Sequence, residues 1–256
     1  MKITLIQPDI IWEDKVRNLE KLTGMVDTIP SDTEIVILPE MFNTGFSMNP
    51  DALSEAPRSL TFDWMKSMAE KGSFGICGSY IVKEGSYYFN RWIFVVKSGD
   101  ICQYDKRHLF SPGNEDKLFT PGKKRVVFNF RGINICPIIC YDLRFPVWCR
   151  VKNDYDMLID SANWPGSRRD VWLTLLKARA LENMSFVAGV NRIGTDGTGT
   201  KHCGDSTIFG PKGNTIASAG RDKEGNVSGE ISVKDLFDFR KKFPVLDDAD
   251  KFRLFL

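Results

Sequence analysis

Short apolar runs recur along this chain, rich in β-branched and aromatic residues and bounded by turn signals. They are KITLIQ (2–7), EIVIL (34–38), FGICGSYI (74–81), WIFVV (92–96), RVVFNF (125–130), INICPIIC (133–140), MLIDSA (157–162), SFVAGV (185–190), STIFG (206–210) and VSGEISV (227–233). Runs of this length and makeup read as buried strands. Between some of them the spacing turns helical. Leu19, Leu22, Val26 and Ile29 recur at steps of three and four, as do Phe62, Met65 and Ala69. A third stretch runs from about Arg169 to Met184 through Trp172, Leu175, Leu176, Arg179 and Glu182. Strands alternating with helices indicate βαβ units, while KSGD (97–100) and GPKGN (210–214) mark hairpins. No Pro- or Ser-rich linker, low-complexity tract or short repeat interrupts the pattern, so one α/β domain is expected over the whole length.

Composition narrows the function classes. Thirty-five basic residues against thirty-three acidic leave a net charge of +2, without a basic stripe of the kind a nucleic acid requires. A mean hydropathy of −0.23, with no apolar stretch of membrane-spanning length, argues against a membrane-spanning chain, and no membrane partner is expected. The N-terminal run is broken by Gln7, Pro8 and Asp9 and does not read as a signal segment. The six cysteines form no CxxC pair and there are only two histidines, so a zinc site is not expected and the thiols read as reduced and cytoplasmic.

Reactive groups in α/β folds gather at the carboxyl ends of strands. Apolar runs stop abruptly at Glu40, at Cys140 and at Asn163–Trp164, each time followed by loop-like sequence. Cys140 closes INICPIIC and meets Tyr-Asp-Leu-Arg-Phe-Pro, which puts its thiol at a strand-to-turn junction where following backbone N–H groups can face a carbonyl. Cys77, Cys102 and Cys136 read as inert core residues, and that is the ordinary reading of Cys140 as well. A thiol nucleophile needs a base. His108 and His202 lie in no protease-like signature, whereas Glu40, among Pro39, Met41, Phe42 and Phe46, would be partly desolvated; the plainer reading is a surface-loop carboxylate. Lys106, between a short strand and a Pro-Gly loop, is either a solvated charge or a fixed cation beside a thiolate. The stretch GTDGTGTKH (194–202) lacks the order of a phosphate loop and reads as a hairpin.

LPEMFNTGF, YDKRHLFSPGNEDKLFTPG and ICYDLRFP, taken in this order, resemble the three motifs of the nitrilase (carbon–nitrogen hydrolase) superfamily. The likeness extends from KITLIQPDI through SANWP, LLKARALEN and GVNRIGTDG to FRKKFPVLDD, and the motif texts are most similar to the omega-amidase branch. It implies a four-layer αββα sandwich, one domain over 1–256, and a catalytic Glu40–Lys106–Cys140 triad with Glu115 supporting the lysine. It also implies at least a dimer, no cofactor or metal, and hydrolysis of a small omega-amide of the 2-oxoglutaramate or 2-oxosuccinamate type.

In that scheme Glu40 takes the thiol proton, and Lys106 with the backbone N–H of Tyr141 holds the oxyanion. Phe42, Phe46 and Trp164 are candidate pocket walls. An arginine suits the substrate's far carboxylate. Arg168 is the candidate among Arg144, Arg168, Arg169 and Arg192, with Arg144 expected to pair with Asp142 or another acid. Another C–N substrate (an N-carbamyl compound, an aliphatic amide or a nitrile) and a non-catalytic interaction module on the same fold are the alternatives. The tail from about 241 to 256 carries Phe243, Val245, Leu246, Phe252, Leu254, Phe255 and Leu256. So much apolar surface near a chain end suggests a subunit interface, with packing on the protomer's own core as the other outcome.

Overall fold

Side chains along a strand alternate between the two faces of a sheet, and here both faces are covered. In the strand Ile35–Ile37 the outer isoleucines point into one apolar cluster and Val36 into another. The computed structural model, which describes residues 1–254, repeats this arrangement in two six-stranded sheets. In chain order the strands of the first sheet are β1 (Lys2–Gln7), β2 (Ile35–Ile37), β3 (Gly75–Glu84), β4 (Tyr87–Val96) and β5 (Gly99–Asp105). The second sheet starts with β6 (Phe128–Phe130), β7 (Ile133–Ile139), β8 (Met157–Ala162) and β9 (Phe186–Asn191). A separate hairpin of β10 (Ile193–Thr195) and β11 (Lys201–Cys203) follows. The chain then adds β12 (Thr207–Phe209) and β13 (Thr215–Ser218) to the second sheet and returns with β14 (Gly225–Glu230) to the edge of the first. Strand orders are β14-β1-β2-β3-β4-β5 and β13-β12-β9-β8-β7-β6, each with three parallel strands in the middle and antiparallel strands outside.

Among the described residues seven α-helices accompany them: α1 (Lys15–Val26), α2 (Pro50–Leu53), α3 (Leu60–Gly72), α4 (Glu115–Leu118), α5 (Pro146–Cys149), α6 (Arg169–Asn183) and α7 (Val233–Lys242). Leu19, Leu22 and Val26 of α1 and Phe62, Met65 and Ala69 of α3 cover the outer face of the first sheet. Trp172, Leu176 and Ala180 of α6 do the same for the second, giving the expected αββα layers. Between the sheets, Ile3, Ile37, Trp92 and Phe94 meet Phe130, Ile135 and Ile159. A polar stitch crosses that interface. Trp92 Nε1 donates to Ser161 Oγ at 3.2 Å, and Ser161 Oγ donates to the Leu38 carbonyl at 2.8 Å.

Some expectations shift. Ile29 lies beyond the end of α1, though it still packs against the same cluster. The buried stripe of α6 runs Trp172–Leu176–Arg179–Asn183, with Leu175 and Glu182 only partly covered. VSGEISV does not remain extended to 233, because Ser232 caps α7 by accepting from the Asp235 N–H. RVVFNF is a strand only from Phe128. In the tail Leu246 and Leu254 pack against the main core, whereas Phe243, Val245 and Phe252 are exposed; Phe255 and Leu256 lie outside the described residues. Among the described residues no helix is long and apolar enough to cross a membrane.

Candidate active site

Both sheets send residues to one cleft of about 440 Å³. Glu40 follows β2 and Lys106 follows β5, both from the first sheet; Cys140 follows β7 and Asn163 follows β8, from the second. The three residues named from the motifs therefore meet where βαβ logic places reactive groups.

Lys106 and Glu40 are almost completely shut off from solvent, at 1% and 0% exposure. Lys106 Nζ donates to Glu40 Oε1 at 2.7 Å and to Glu115 Oε2 and Oε1 at 2.8 and 3.1 Å. Asn90 Nδ2 donates to the same two carboxylates, at 2.8 Å to Glu40 and 3.0 Å to Glu115. The Phe110 N–H reaches Glu115 Oε2 at 2.6 Å. Burial works to lower the pKa of the Lys106 ammonium, but the Glu115 and Glu40 carboxylates outweigh this and hold the pKa above its ordinary value. Burial pushes the Glu115 carboxyl up, and the Lys106 charge works against that. The Asn163 N–H donates to Glu40 Oε2 at 3.0 Å and its side-chain amide donates to the Glu40 carbonyl, tying the first sheet's glutamate to the second sheet.

Cys140 is the one cysteine of the six with intermediate exposure, the other five being buried. Its backbone is left-handed, with φ of 46°. The N–H groups of Ile139 and Cys140 are taken by Asp142 Oδ2 at 3.0 Å and by Asp160 Oδ1 at 2.6 Å. The next N–H, that of Tyr141, stands in the first turn of the 3-10 segment Cys140–Arg144, where no acceptor exists within the turn. Burial, with Glu40 adding to it, raises the thiol well above its ordinary range, against the pull of Lys106. A free thiolate is thus unfavourable at rest, and the thiol needs a base at hand.

The expected wall residues divide. Phe46 and Trp164 line the cleft, and the Phe46 ring lies 5.0 Å from Lys106 Nζ. Phe42 does not. Met41 takes φ of 42°, the Phe42 N–H donates to the Ser79 carbonyl, and the ring turns into the helix-side core against Trp64 and Tyr80. Arg168 lines the cleft as expected, its guanidinium 5.6 Å from the Phe110 ring. Arg144 departs from the expected ion pair. Asp142 is occupied by Tyr104, His108 and the Ile139 N–H, so Arg144 instead lies 5.0 Å over Trp164 and lines the cleft. Arg169 is committed to Asp205 at 2.7 and 2.9 Å, and Arg192 is buried against Asp9 and the carbonyls of Ile10 and Ile193.

Sequence reasoning missed Asn90 and Asp196 as members of the site, set His202 aside as a base, and placed Asn163 at a strand end without giving it a role. Asn90 did carry a signal, a fully polar side chain inside the strand YYFNRWIFVV. GTDGTGTKH is the β10–β11 hairpin, as its composition suggested. Asp196 Oδ1 accepts from the Thr198 N–H, the Thr200 N–H and the Thr198 hydroxyl, and with Thr198 and Thr200 it lines the cleft. Buried His202 lies beside them; burial, with Arg192 next, pushes its imidazole down to about 4. Among the described residues no cluster of His, Cys, Asp and Glu suits a metal ion.

Comparison with known proteins agrees with this geometry. Residues 2–241 match the family model described as carbon-nitrogen hydrolase. The omega-amidase YafV of Escherichia coli is 41% identical over 99% of this chain and 98% of its own length. A 2-oxoglutaramate amidase of Bacillus subtilis is 33% identical over 97% of each. The crystal structure of a CN-hydrolase superfamily protein from Xanthomonas campestris, with an arsenic adduct in its active site, superposes with a TM-score of 0.96. It is 36% identical, over 99% of this chain and 98% of that one. With a cysteine, a glutamate and a lysine lining one cleft, a second glutamate behind the lysine, and a family match over nearly the whole length, this chain belongs to the carbon–nitrogen hydrolase family.

Proposed function

We propose that the protein is an omega-amidase that hydrolyses the terminal amide of a 2-oxoglutaramate- or 2-oxosuccinamate-type substrate through a Cys140 thioester. The observation that carries the reading is the composition of the cleft. Cys140, Glu40 and Lys106 line it together with the guanidinium groups of Arg144 and Arg168, which form no ion pair among the described residues. A pocket with a nucleophile and uncommitted cations suits an amide that ends in a carboxylate.

The chemistry follows from the placements. Glu40 accepts the thiol proton as Sγ bonds to the amide carbon, so no free thiolate has to exist beforehand. The oxygen of the tetrahedral intermediate is held by Lys106 Nζ and the Tyr141 N–H. Protonation of Glu40 removes one of the two negative charges facing Lys106, leaving more of the ammonium's charge for the oxyanion as it forms. Glu40 then gives its proton to the departing nitrogen. Ammonia leaves and the thioester remains. Water attacks that thioester with Glu40 again as base, giving the carboxylate and restoring the thiol. Glu115 and Asn90 serve as positioning groups that fix Lys106 and Glu40.

The six free thiols suit a reducing compartment, and we place the enzyme in the cytoplasm as a homo-oligomer joined in part through its C-terminal region. Ammonia release by the purified protein tests the activity. 2-Oxoglutaramate is expected to exceed glutarate monoamide, an N-carbamyl amino acid, an aliphatic amide and a nitrile by at least tenfold in kcat/KM. A preference for any of the last three overturns the substrate class.

A further inference from the structure

Beside the nucleophile stands a fully buried carboxylate to which the steps above give no part. Asp160 belongs to β8 and pairs in register with Ile138 of β7, two residues before Cys140. Its Oδ1 accepts from the Cys140 N–H at 2.6 Å, while its Oδ2 has no hydrogen-bond partner. No Lys or Arg forms an ion pair with it among the described residues. The charged and titratable groups that face it are Asp142, Glu40, Lys106, Cys140 and Cys149. Cys140 itself, at φ of 46°, occupies a region that costs a side-chain-bearing residue about 1–2 kcal/mol and needs holding from outside.

A carboxylate buried in a parallel sheet with one neutral donor and no ion-paired cation is a costly charge, and the acid form replaces that cost with the smaller one of a buried hydroxyl. The surroundings act in the same direction. Burial raises the Asp160 carboxyl well above its usual range; the Cys140 N–H opposes this, Asp142 and Glu40 add to it, and Lys106 opposes. We propose that Asp160 is a positioning residue for the nucleophile, working as a neutral carboxylic acid. Its carbonyl oxygen fixes the left-handed Cys140 backbone without setting another negative charge against the departing thiol proton. Holding the Cys140 N–H in this way also leaves the Tyr141 N–H as the turn's uncommitted donor for the oxyanion. The proposal rests on Cys140 being the nucleophile.

The test compares Asp160→Leu, which has the same branched skeleton of heavy atoms and no acceptor, with Asp160→Asn, which keeps an acceptor and carries no charge. Two readouts are taken: kcat and KM for 2-oxoglutaramate, and the rate of Cys140 alkylation by iodoacetamide from pH 5 to 10. Asp160→Leu should lose about tenfold or more in kcat with KM little changed, as expected when a buried hydrogen bond to the turn is removed. Asp160→Asn should restore kcat to within about threefold and leave the alkylation midpoint of the thiol within about half a unit of the parent. Wild-type kcat in folded Asp160→Leu overturns the positioning role. A thiol midpoint lowered by about a unit or more in Asp160→Asn shows that a negative charge was removed and overturns the neutral form. If Asp160→Leu does not fold, the Asp160→Asn alkylation profile decides by itself. Alkylation needs no amide, so normal alkylation without ammonia release marks a failure of the substrate assignment, separate from this proposal.

Discussion

Lys106 would be an untenable charge at its depth were it not for the two carboxylates that grip it. A surface lysine would tolerate arginine, and a pocket-lining one would lose only activity. The structure indicates more. The planar guanidinium does not fit the point between Glu40 and Glu115, so Lys106→Arg should lower kcat by about 10²–10³-fold and also lower the melting temperature. Near-normal kcat, measured well below the melting temperature, refutes its part in holding the oxyanion. Cys140→Ala should abolish hydrolysis and keep the fold, whereas Cys77→Ala should stay within about tenfold in rate, its deficit being a core cavity. His202 gives a pH dependence. Its imidazole falls from 6.5 unfolded to about 4 folded, so below pH 6.5 the unfolded chain takes up a proton that the folded chain refuses. Stability present at neutral pH is lost as pH falls through about 4, by about 3 kcal/mol. Urea titrations of His202→Gln at pH 7 and 4 should lack that part of the loss; an identical loss in both proteins removes His202 as the cause. Glu40, Lys106 and Cys140 were legible because their flanking residues carry motif text. Asn163 was legible only as a strand end; its reach to a glutamate on the other sheet was not, because no local pattern encodes it.

Among elements, the strands and the three long amphipathic helices α1, α3 and α6 announced themselves through periodicity. Helix α7 did not, because only Leu236 of VKDLFDFRKK is buried and one residue makes no stripe. The misplacement of Phe42 has a similar origin. A left-handed Met41 reverses the direction of the next side chain, and sequence gives no hint of a non-glycine residue in that conformation. The β10–β11 hairpin shows what a loop contributes to the site. Asp196 closes it with three hydrogen bonds to Thr198 and Thr200, and both threonines line the cleft. Asp196→Ala should raise KM several-fold while kcat stays within about threefold, because the wall loosens but the nucleophile is untouched. A kcat loss with KM unchanged would place the hairpin in the chemistry and not in binding.

On the scale of the whole molecule, the exposed Phe243, Val245 and Phe252 remain to be covered, while Leu246 and Leu254 satisfy the alternative of packing on the protomer's own core. Sedimentation at micromolar concentration should give a mass of at least a dimer, and a mass near 29 kDa overturns that expectation. The division of the active site between the sheets has a further effect. If Cys140 and Glu40 act as proposed, neither sheet holds the whole site: the first carries Glu40 and Lys106, and the second carries Cys140. The Trp92–Ser161–Leu38 contact and the Asn163–Glu40 contact join the two halves, so the proposed chemistry requires the sheets to be docked. During refolding, amidase activity should lag the recovery of far-ultraviolet circular dichroism and rise together with the burial of Trp92, so a half-assembled molecule carries no armed cysteine.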